Sequence, residues 1–147
     1  MTSQVRAFAP ASVGNVGVGF DVLGLALERP GDEVVARRRT RPGVAITVSG
    51  DDRIPTDPAR NSAAVAAAEL LARVGGGGGL ELELHKGLPL AGGMGGSAAS
   101  AVAAVVAVDA LLEAHAPSAL LLRCALEGER AACGAAHPDN AAPSLHG

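Results

Sequence analysis

The chain has 147 residues, of which 48% are hydrophobic and 18% are charged. This balance predicts one globular domain and argues against a disordered chain. The only aromatic residues are Phe8 and Phe20, so the core has to be built from Ala, Val and Leu side chains. The formal net charge of −3 argues against nucleic acid or an anionic membrane surface as the main partner.

Cysteine spacing and hydropathy both favour a cytoplasmic protein without a membrane span. Cys124 and Cys133 lie in one predicted helix, about 13.5 Å apart along its axis, which is too far for a disulfide. The pair is typical of a reducing compartment. The uncharged run 87–108 contains five Gly, one Pro and two Ser. It therefore predicts a loop that leads into a buried helix rather than a membrane-spanning helix.

Apolar segments bounded by Gly and Pro predict strands early in the chain. The first ends at Pro10, and the turn 41–43 separates two later ones. The last alternates strictly between Leu and Glu, which predicts one buried face. The five predicted strands cover residues 5–9, 18–27, 33–39, 44–49 and 80–84.

Helical patterns dominate the second half of the chain. Asn61 is a suitable N-cap for the first helix, and five glycines at 75–79 predict the loop after it. The second helix is apolar on nearly all sides and should be buried. Residues 137–140 (HPDN) predict a turn. The three predicted helices cover 63–74, 97–114 and 118–134, and together with the strands they indicate an α+β domain.

The most informative segment is 89–100 (PLAGGMGGSAAS), where a strand leads through four glycines into a helix. Converging backbone N–H groups and the positive end of a helix can hold an anion. The segment is not a Walker A loop, because no Gly-Lys-Ser/Thr follows, and no acidic residue lies about 20 positions on to hold a ribose. Glycine spacing alone leaves a flexible strand-to-helix connection equally open.

Three segments of the chain resemble the homoserine kinases, a family of the GHMP superfamily of small-molecule kinases. Residues 9–24 (APASVGNVGVGFDVLG) resemble their N-terminal signature, 89–99 their phosphate loop, and 137–143 (HPDNAAP) a third landmark. The resemblance implies an α+β GHMP-kinase-type N-terminal domain, ribosomal protein S5 domain 2-like, in which a mixed β-sheet packs with helices. It also implies that residues 1–147 form the ATP-binding domain and that the family's C-terminal half is absent, with a truncation near Gly147.

The resemblance further implies a transferase that uses ATP and Mg²⁺. It would phosphorylate the side-chain hydroxyl of L-homoserine to O-phospho-L-homoserine, a step of threonine biosynthesis. The catalytic residues would be Asp21 and Asn140. Homoserine would be bound by Asn15, Asp21, His137 and Asn140. Mg²⁺ would be held by Ser97 and Glu129. ATP would be bound by Lys86, Pro89, Leu90, Ala91, Gly92, Gly93, Met94, Gly95, Gly96, Ser97, Ala98 and Ala99.

The phosphate loop departs from the family pattern at two positions, and the function has alternatives. Ala91 stands where the family commonly has Gly, and Gly96 replaces the first of two serines. The alternatives are a mevalonate-type or sugar-type GHMP kinase and a nucleotide-binding fragment without catalytic activity. Taken singly, Asn15 fits a turn, Glu129 fits a solvated helix face, and Lys86 fits the end of a strand.

The implied truncation has consequences for stability. The resemblance assigns the binding of the substrate carboxylate to the missing half, which would also cover the apolar helix 97–114. We therefore expect that helix and at least one sheet edge to be exposed in the isolated chain. Exposed apolar patches and sheet edges promote association. The isolated chain should accordingly be marginally stable or aggregating, and inactive on homoserine, whereas a full-length form could be a homodimer.

Overall fold

The structure is a computed structural model that describes residues 2–17, 23–136 and 138–147. In these ranges the strands are β1 (Gln4–Val13), β2 (Leu25–Arg39), β3 (Gly43–Ser49) and β4 (Gly79–His85). The helices are α1 (Ser62–Val74), α2 (Gly96–Leu112), α3 (Ser118–Cys133) and α4 (Pro138–His146). The α+β prediction is confirmed.

The four strands form one mixed sheet in the order β1-β2-β4-β3. β2 pairs antiparallel with both β1 and β4, whereas β3 pairs parallel with β4. β4 thus lies between two strands that are consecutive in the chain. Its leucines Leu80, Leu82 and Leu84 are all buried, which confirms the predicted single buried face.

The opposite face of the sheet carries two ion pairs, one exposed and one partly buried. Arg37 on β2 donates to Glu83 on β4 at 2.5 Å, and Arg6 on β1 donates to Glu33 on β2 at 3.1 Å. The Arg37 guanidinium lowers the pKa of Glu83. Helices therefore cover the face that carries the leucines of β4, and the ion pairs lie on the other face.

Two local predictions about proline were wrong. β1 continues through Pro10 to Val13, with a register shift between Pro10 and Ser12. β1 is an edge strand, where the missing N–H of proline is tolerated. Residues 138–140 are not a turn, because Pro138 begins α4. Proline is favoured in the first turn of a helix, where N–H groups have no intrahelical partner. The predicted strand residues 18–22 lie outside the described ranges, and β2 begins at Leu25.

α1 is capped as predicted. The Asn61 side chain accepts hydrogen bonds from Ala63 N at 3.0 Å and from Ala64 N at 3.2 Å. Gly75, at φ +72°, ends the helix. The cap fixes the start of α1 beside the loop that follows β4.

α2 is the centre of the core, and the expected exposure of this helix was wrong. It contacts β1 and β2 on one side and α1, α3 and α4 on the others. Its residues Val102, Val105 and Val108 are each at most 2% exposed. Alanines along the remaining positions let the neighbouring helices approach closely. The chain's own helices therefore cover α2.

Cys124 is buried and Cys133 is exposed, and both are free thiols, as predicted. Burial raises the pKa of the Cys124 thiol. In the described ranges no helix has the length and hydropathy that crossing a bilayer requires.

Candidate active site

A cavity of about 300 Å³ opens between the glycine loop, the start of α1 and the end of α3. Nine of the twelve predicted ATP-binding residues line it: Lys86, Pro89, Leu90, Ala91, Gly92, Gly93, Gly95, Gly96 and Ser97. Of the other three, Ala98 and Ala99 are buried in α2, and Met94 packs against the core. The structure thus brings the glycine loop to the rim of a concave site.

The N-terminus of α2 faces this cavity without a capping side chain. Its N-cap is Gly95, at φ +67°, and Ala99 N donates to Gly95 O at 2.9 Å. The N–H groups at the start of a helix have no intrahelical acceptor and carry partial positive charge. Since α1 has the Asn61 cap and α2 has none, the first turn of α2 can hold an anion.

The backbone of the glycine loop enters the left-handed region at three positions: Ala91 (φ +57°), Gly93 (φ +69°) and Gly95 (φ +67°). Glycine adopts this conformation freely, whereas a side chain costs roughly 1–2 kcal/mol there. Ala91 is thus strained at a position where the resemblance expects Gly.

A buried ion pair lies beneath the loop. Lys86 Nζ donates to Asp32 Oδ2 at 2.5 Å, and the two side chains are 4% and 0% exposed. Lys86 Nζ also contacts Gly96 O at 3.1 Å and Ser100 Oγ at 3.0 Å. Asp32 was not predicted from the sequence.

A second group of polar residues joins the end of β1 to the start of α4. Ser12 Oγ donates to Asn140 Oδ1 at 3.0 Å, and Asn15 N donates to Asp139 Oδ2 at 3.1 Å. A Cβ at Gly95 would lie 3.1 Å from Asn140 Oδ1. The predicted substrate residue Asn140 therefore adjoins the glycine loop, and Asn15 is joined to the neighbouring residue Asp139.

Asp139 belongs to this second group of polar residues and was missed by sequence reasoning. It is 3% exposed, and its Oδ1 has no hydrogen-bond partner among the residues that the structure describes. A buried polar atom of this kind costs free energy unless it is satisfied. The sequence analysis identified segment 137–140 but predicted a turn there, and a turn does not indicate that the Asp139 carboxylate is buried. The predicted residues Asp21 and His137 lie outside the described ranges.

The two predicted Mg²⁺ ligands lie on facing helix ends. Ser97 is in the first turn of α2, and its Oγ lies 3.5 Å from Cys133 Sγ in the last turn of α3. Glu129 is 6% exposed and lies four residues before Cys133 on α3, hence on the same side of that helix. The described residues contain no cluster of three or more His, Cys, Asp or Glu side chains arranged for a metal ion.

The remaining wall of the cavity comes from the loop 50–61, which the sequence identified only as a loop and an N-cap. It contributes Ile54, Pro55, Arg60 and Asn61. The loop is held locally by Arg53, whose side-chain hydrogen bond lowers the pKa of Asp51 to about 2. Of these four residues, the sequence analysis had singled out only Asn61, and only as a helix cap.

Comparisons with known proteins agree with this geometry. The family described as GHMP kinases N terminal domain matches residues 61–147. The chain is 44% identical to a homoserine kinase of Chlorobium phaeovibrioides, over 98% of the chain and 49% of that protein. It is 47% identical to a homoserine kinase of Xylella fastidiosa, over 98% of the chain and 45% of that protein. The chain thus spans about half the length of these curated relatives.

Solved structures give the same result. A homoserine kinase of Cytophaga hutchinsonii superposes with a TM-score of 0.94 at 46% identity, covering 100% of this chain and 47% of that one. A galactokinase of Lactococcus lactis superposes with a TM-score of 0.73 at 17% identity, over 95% of this chain and 41% of that one, which shows the shared fold alone. The chain belongs to the GHMP kinase family and has the fold of that family's N-terminal domain.

Proposed function

We propose that this chain is the ATP-binding part of a homoserine kinase, which transfers the γ-phosphoryl group of ATP to the side-chain hydroxyl of L-homoserine. The observation that carries the proposal is the uncapped N-terminus of α2 at the rim of the cavity. Its family membership and the homoserine kinases at 44–47% identity support it. Two free cysteines are consistent with a cytoplasmic enzyme.

The phosphates of ATP would lie against the loop 92–97. Left-handed glycines let the backbone approach the ligand without side chains in the way. The N–H groups at the start of α2 then donate to phosphate oxygens. The apolar residues Ile54, Pro55 and Leu90 on the outer wall offer a surface for the base.

The residues present fit a Mg²⁺ ion. Ser97 and Glu129 offer one hydroxyl and one carboxylate, and Mg²⁺ in kinases takes few protein ligands because phosphate oxygens complete its shell. When bound, the ion would neutralise phosphate charge. The protein's own contribution is to position the donor phosphate and the acceptor hydroxyl, which provides most of the catalysis in phosphoryl transfer.

The acceptor would lie at the wall formed by Asn15, Asp139 and Asn140. Asp139 brings a carboxylate to this wall, and a carboxylate suits the ammonium group of an amino acid, whereas mevalonate and galactose carry no cation. Asn140 offers an amide within reach of the loop. The sequence motif adds Asp21 as a further carboxylate for the hydroxyl.

The test is acceptor-dependent ADP release by the full-length enzyme, of which this chain would be the ATP-binding part. Release is measured in the presence of Mg·ATP, with homoserine, mevalonate and galactose as acceptors in parallel. We expect release with homoserine alone. Asp21→Asn, which keeps the shape but removes the charge, should reduce homoserine phosphorylation far more than background ATP hydrolysis.

The other outcomes separate the alternatives. Release with mevalonate or galactose but not homoserine would identify a different GHMP kinase. Binding of Mg·ATP without release for any acceptor would support a nucleotide-binding unit without catalytic activity.

A further inference from the structure

We propose that Asp32 is a positioning residue for the phosphate loop: its carboxylate holds together the two ends of the loop and so sets the direction of the N–H groups that receive the phosphates. This inference rests on the proposed function, since it concerns how the same site binds ATP.

Each oxygen of Asp32 contacts a different end of the loop. Oδ1 accepts from Gly87 N at 2.9 Å and from Leu88 N at 3.1 Å, where the chain leaves β4. Oδ2 accepts from Ser100 Oγ at 2.7 Å, in the second turn of α2. One side chain on β2 therefore fixes both the entry to the loop and its exit.

Lys86 extends this connection to the first turn of α2. Its ammonium group donates to Asp32 Oδ2 at 2.5 Å and contacts Gly96 O at 3.1 Å. Gly96 follows the N-cap of α2, so the direction of the first helical turn depends on this contact. With Ser100 Oγ as the third contact at 3.0 Å, all three ammonium hydrogens have acceptors.

Stability alone does not explain a buried pair of this kind. Replacing a buried ion pair by apolar residues of similar volume is often neutral or stabilising. Here the pair lies beneath the loop that leads into α2, the helix whose N-terminus has no capping side chain. Lys86 also offsets the Asp32 charge, which would otherwise repel phosphate groups.

Electrostatics and positioning predict opposite effects for Asp32→Asn. Removing a negative charge near the phosphate site should strengthen Mg·ATP binding if long-range charge alone matters. If Asp32 positions the loop, Asp32→Asn should weaken Mg·ATP binding. The amide has only one acceptor oxygen, so it can accept either from Gly87 N and Leu88 N or from Lys86 and Ser100, but not from both. Ser100→Ala removes the contacts of the Ser100 hydroxyl with Asp32 Oδ2 and Lys86 Nζ without changing any charge.

The experiment compares the affinities for Mg·ATP and for adenosine by NMR titration. Adenosine lacks the phosphates that the loop binds, so a general loss of structure would weaken both ligands. For Asp32→Asn we expect roughly tenfold weaker Mg·ATP binding, about 1.4 kcal/mol, with adenosine affinity unchanged. For Ser100→Ala we expect a smaller loss of about threefold, because the Asp32 carboxylate keeps its contacts with Lys86, Gly87 and Leu88.

The matched control is Glu83→Gln. Glu83 also joins β4 to β2, through Arg37, but on the opposite face of the sheet. It should change neither affinity. If Asp32→Asn does not fold, the Mg·ATP and adenosine affinities of Ser100→Ala test the positioning role instead. An unchanged ratio of the two affinities in Ser100→Ala, or tighter Mg·ATP binding in Asp32→Asn, would overturn the role of Asp32. Failure of the unchanged chain to bind either ligand would overturn the proposed function as well.

Discussion

Two glycines of the phosphate loop differ in what surrounds them, although their backbones are alike. Gly93 and Gly95 both lie in the left-handed region, at φ +69° and +67°. A Cβ at Gly93 would meet nothing within 4 Å. A Cβ at Gly95 would overlap Ser12 Oγ and approach Asn140 Oδ1 at 3.1 Å. Gly95 thus lets the phosphate loop and the proposed acceptor wall come together.

This difference predicts unequal effects for the two alanine substitutions. Gly93→Ala adds backbone strain alone, roughly 1–2 kcal/mol. Gly95→Ala adds the same strain and a steric overlap, which typically costs about 1–3 kcal/mol more. We expect Gly95→Ala to lose both stability in urea and most Mg·ATP affinity, and Gly93→Ala to lose less of each. Equal losses would show that the contact with Ser12 is not important.

Residues of the site were predictable where a motif marks them. The loop glycines and Ser97 stand out because glycine runs before a helix have a direct physical meaning. Asp32 could not be found in this way, since its side-chain partners lie 54 and 68 residues later in the chain. No local pattern connects positions so far apart.

At the scale of elements, patterns with a local cause were correct. The alternation of β4 and the Asn61 cap of α1 both follow from neighbouring residues, and both are confirmed. The errors at Pro10 and at 138–140 arose because the effect of a proline depends on where it lies in a strand or helix. An edge strand accommodates Pro10, and the first turn of α4 accommodates Pro138.

The crossing of α1, α2 and α3 depends on Gly128. A Cβ at this position would overlap Ser62 O and lie 3.0 Å from Ala66 Cβ and 3.1 Å from Ala101 Cβ. Three helices therefore meet where one of them has no side chain.

Gly128→Ala should destabilise the protein although alanine favours helices. The intrinsic gain is about 1 kcal/mol, whereas overpacking in a tight core costs about 1–3 kcal/mol and the overlap here involves backbone. We expect a net loss of about 1 kcal/mol or more in the free energy of unfolding in urea. The control is Arg123→Ala on the exposed side of the same helix, which should change it by less than about 0.5 kcal/mol. A stabilised Gly128→Ala would contradict this packing.

At the scale of the whole molecule, the apolar pattern of α2 predicted that the helix is buried, but it did not predict which elements pack against it. The helix is apolar on nearly all sides, and that pattern does not show which elements pack against it. In the structure the sheet and the three other helices surround it. The expected exposure failed because helix–helix contacts between alanines leave no strong signal in the sequence.

β1, β2 and the three other helices pack around α2. Its amides should therefore exchange with solvent only when the molecule unfolds. Native-state hydrogen exchange should give opening free energies for Val102, Val105 and Val108 within about 1 kcal/mol of global unfolding. The edge strand β1 and the nine-residue helix α4 should open at lower free energy, because each has fewer neighbours. Exchange of α2 before α4 would show that the chain's own helices do not cover α2 and would restore the expectation of an exposed apolar helix.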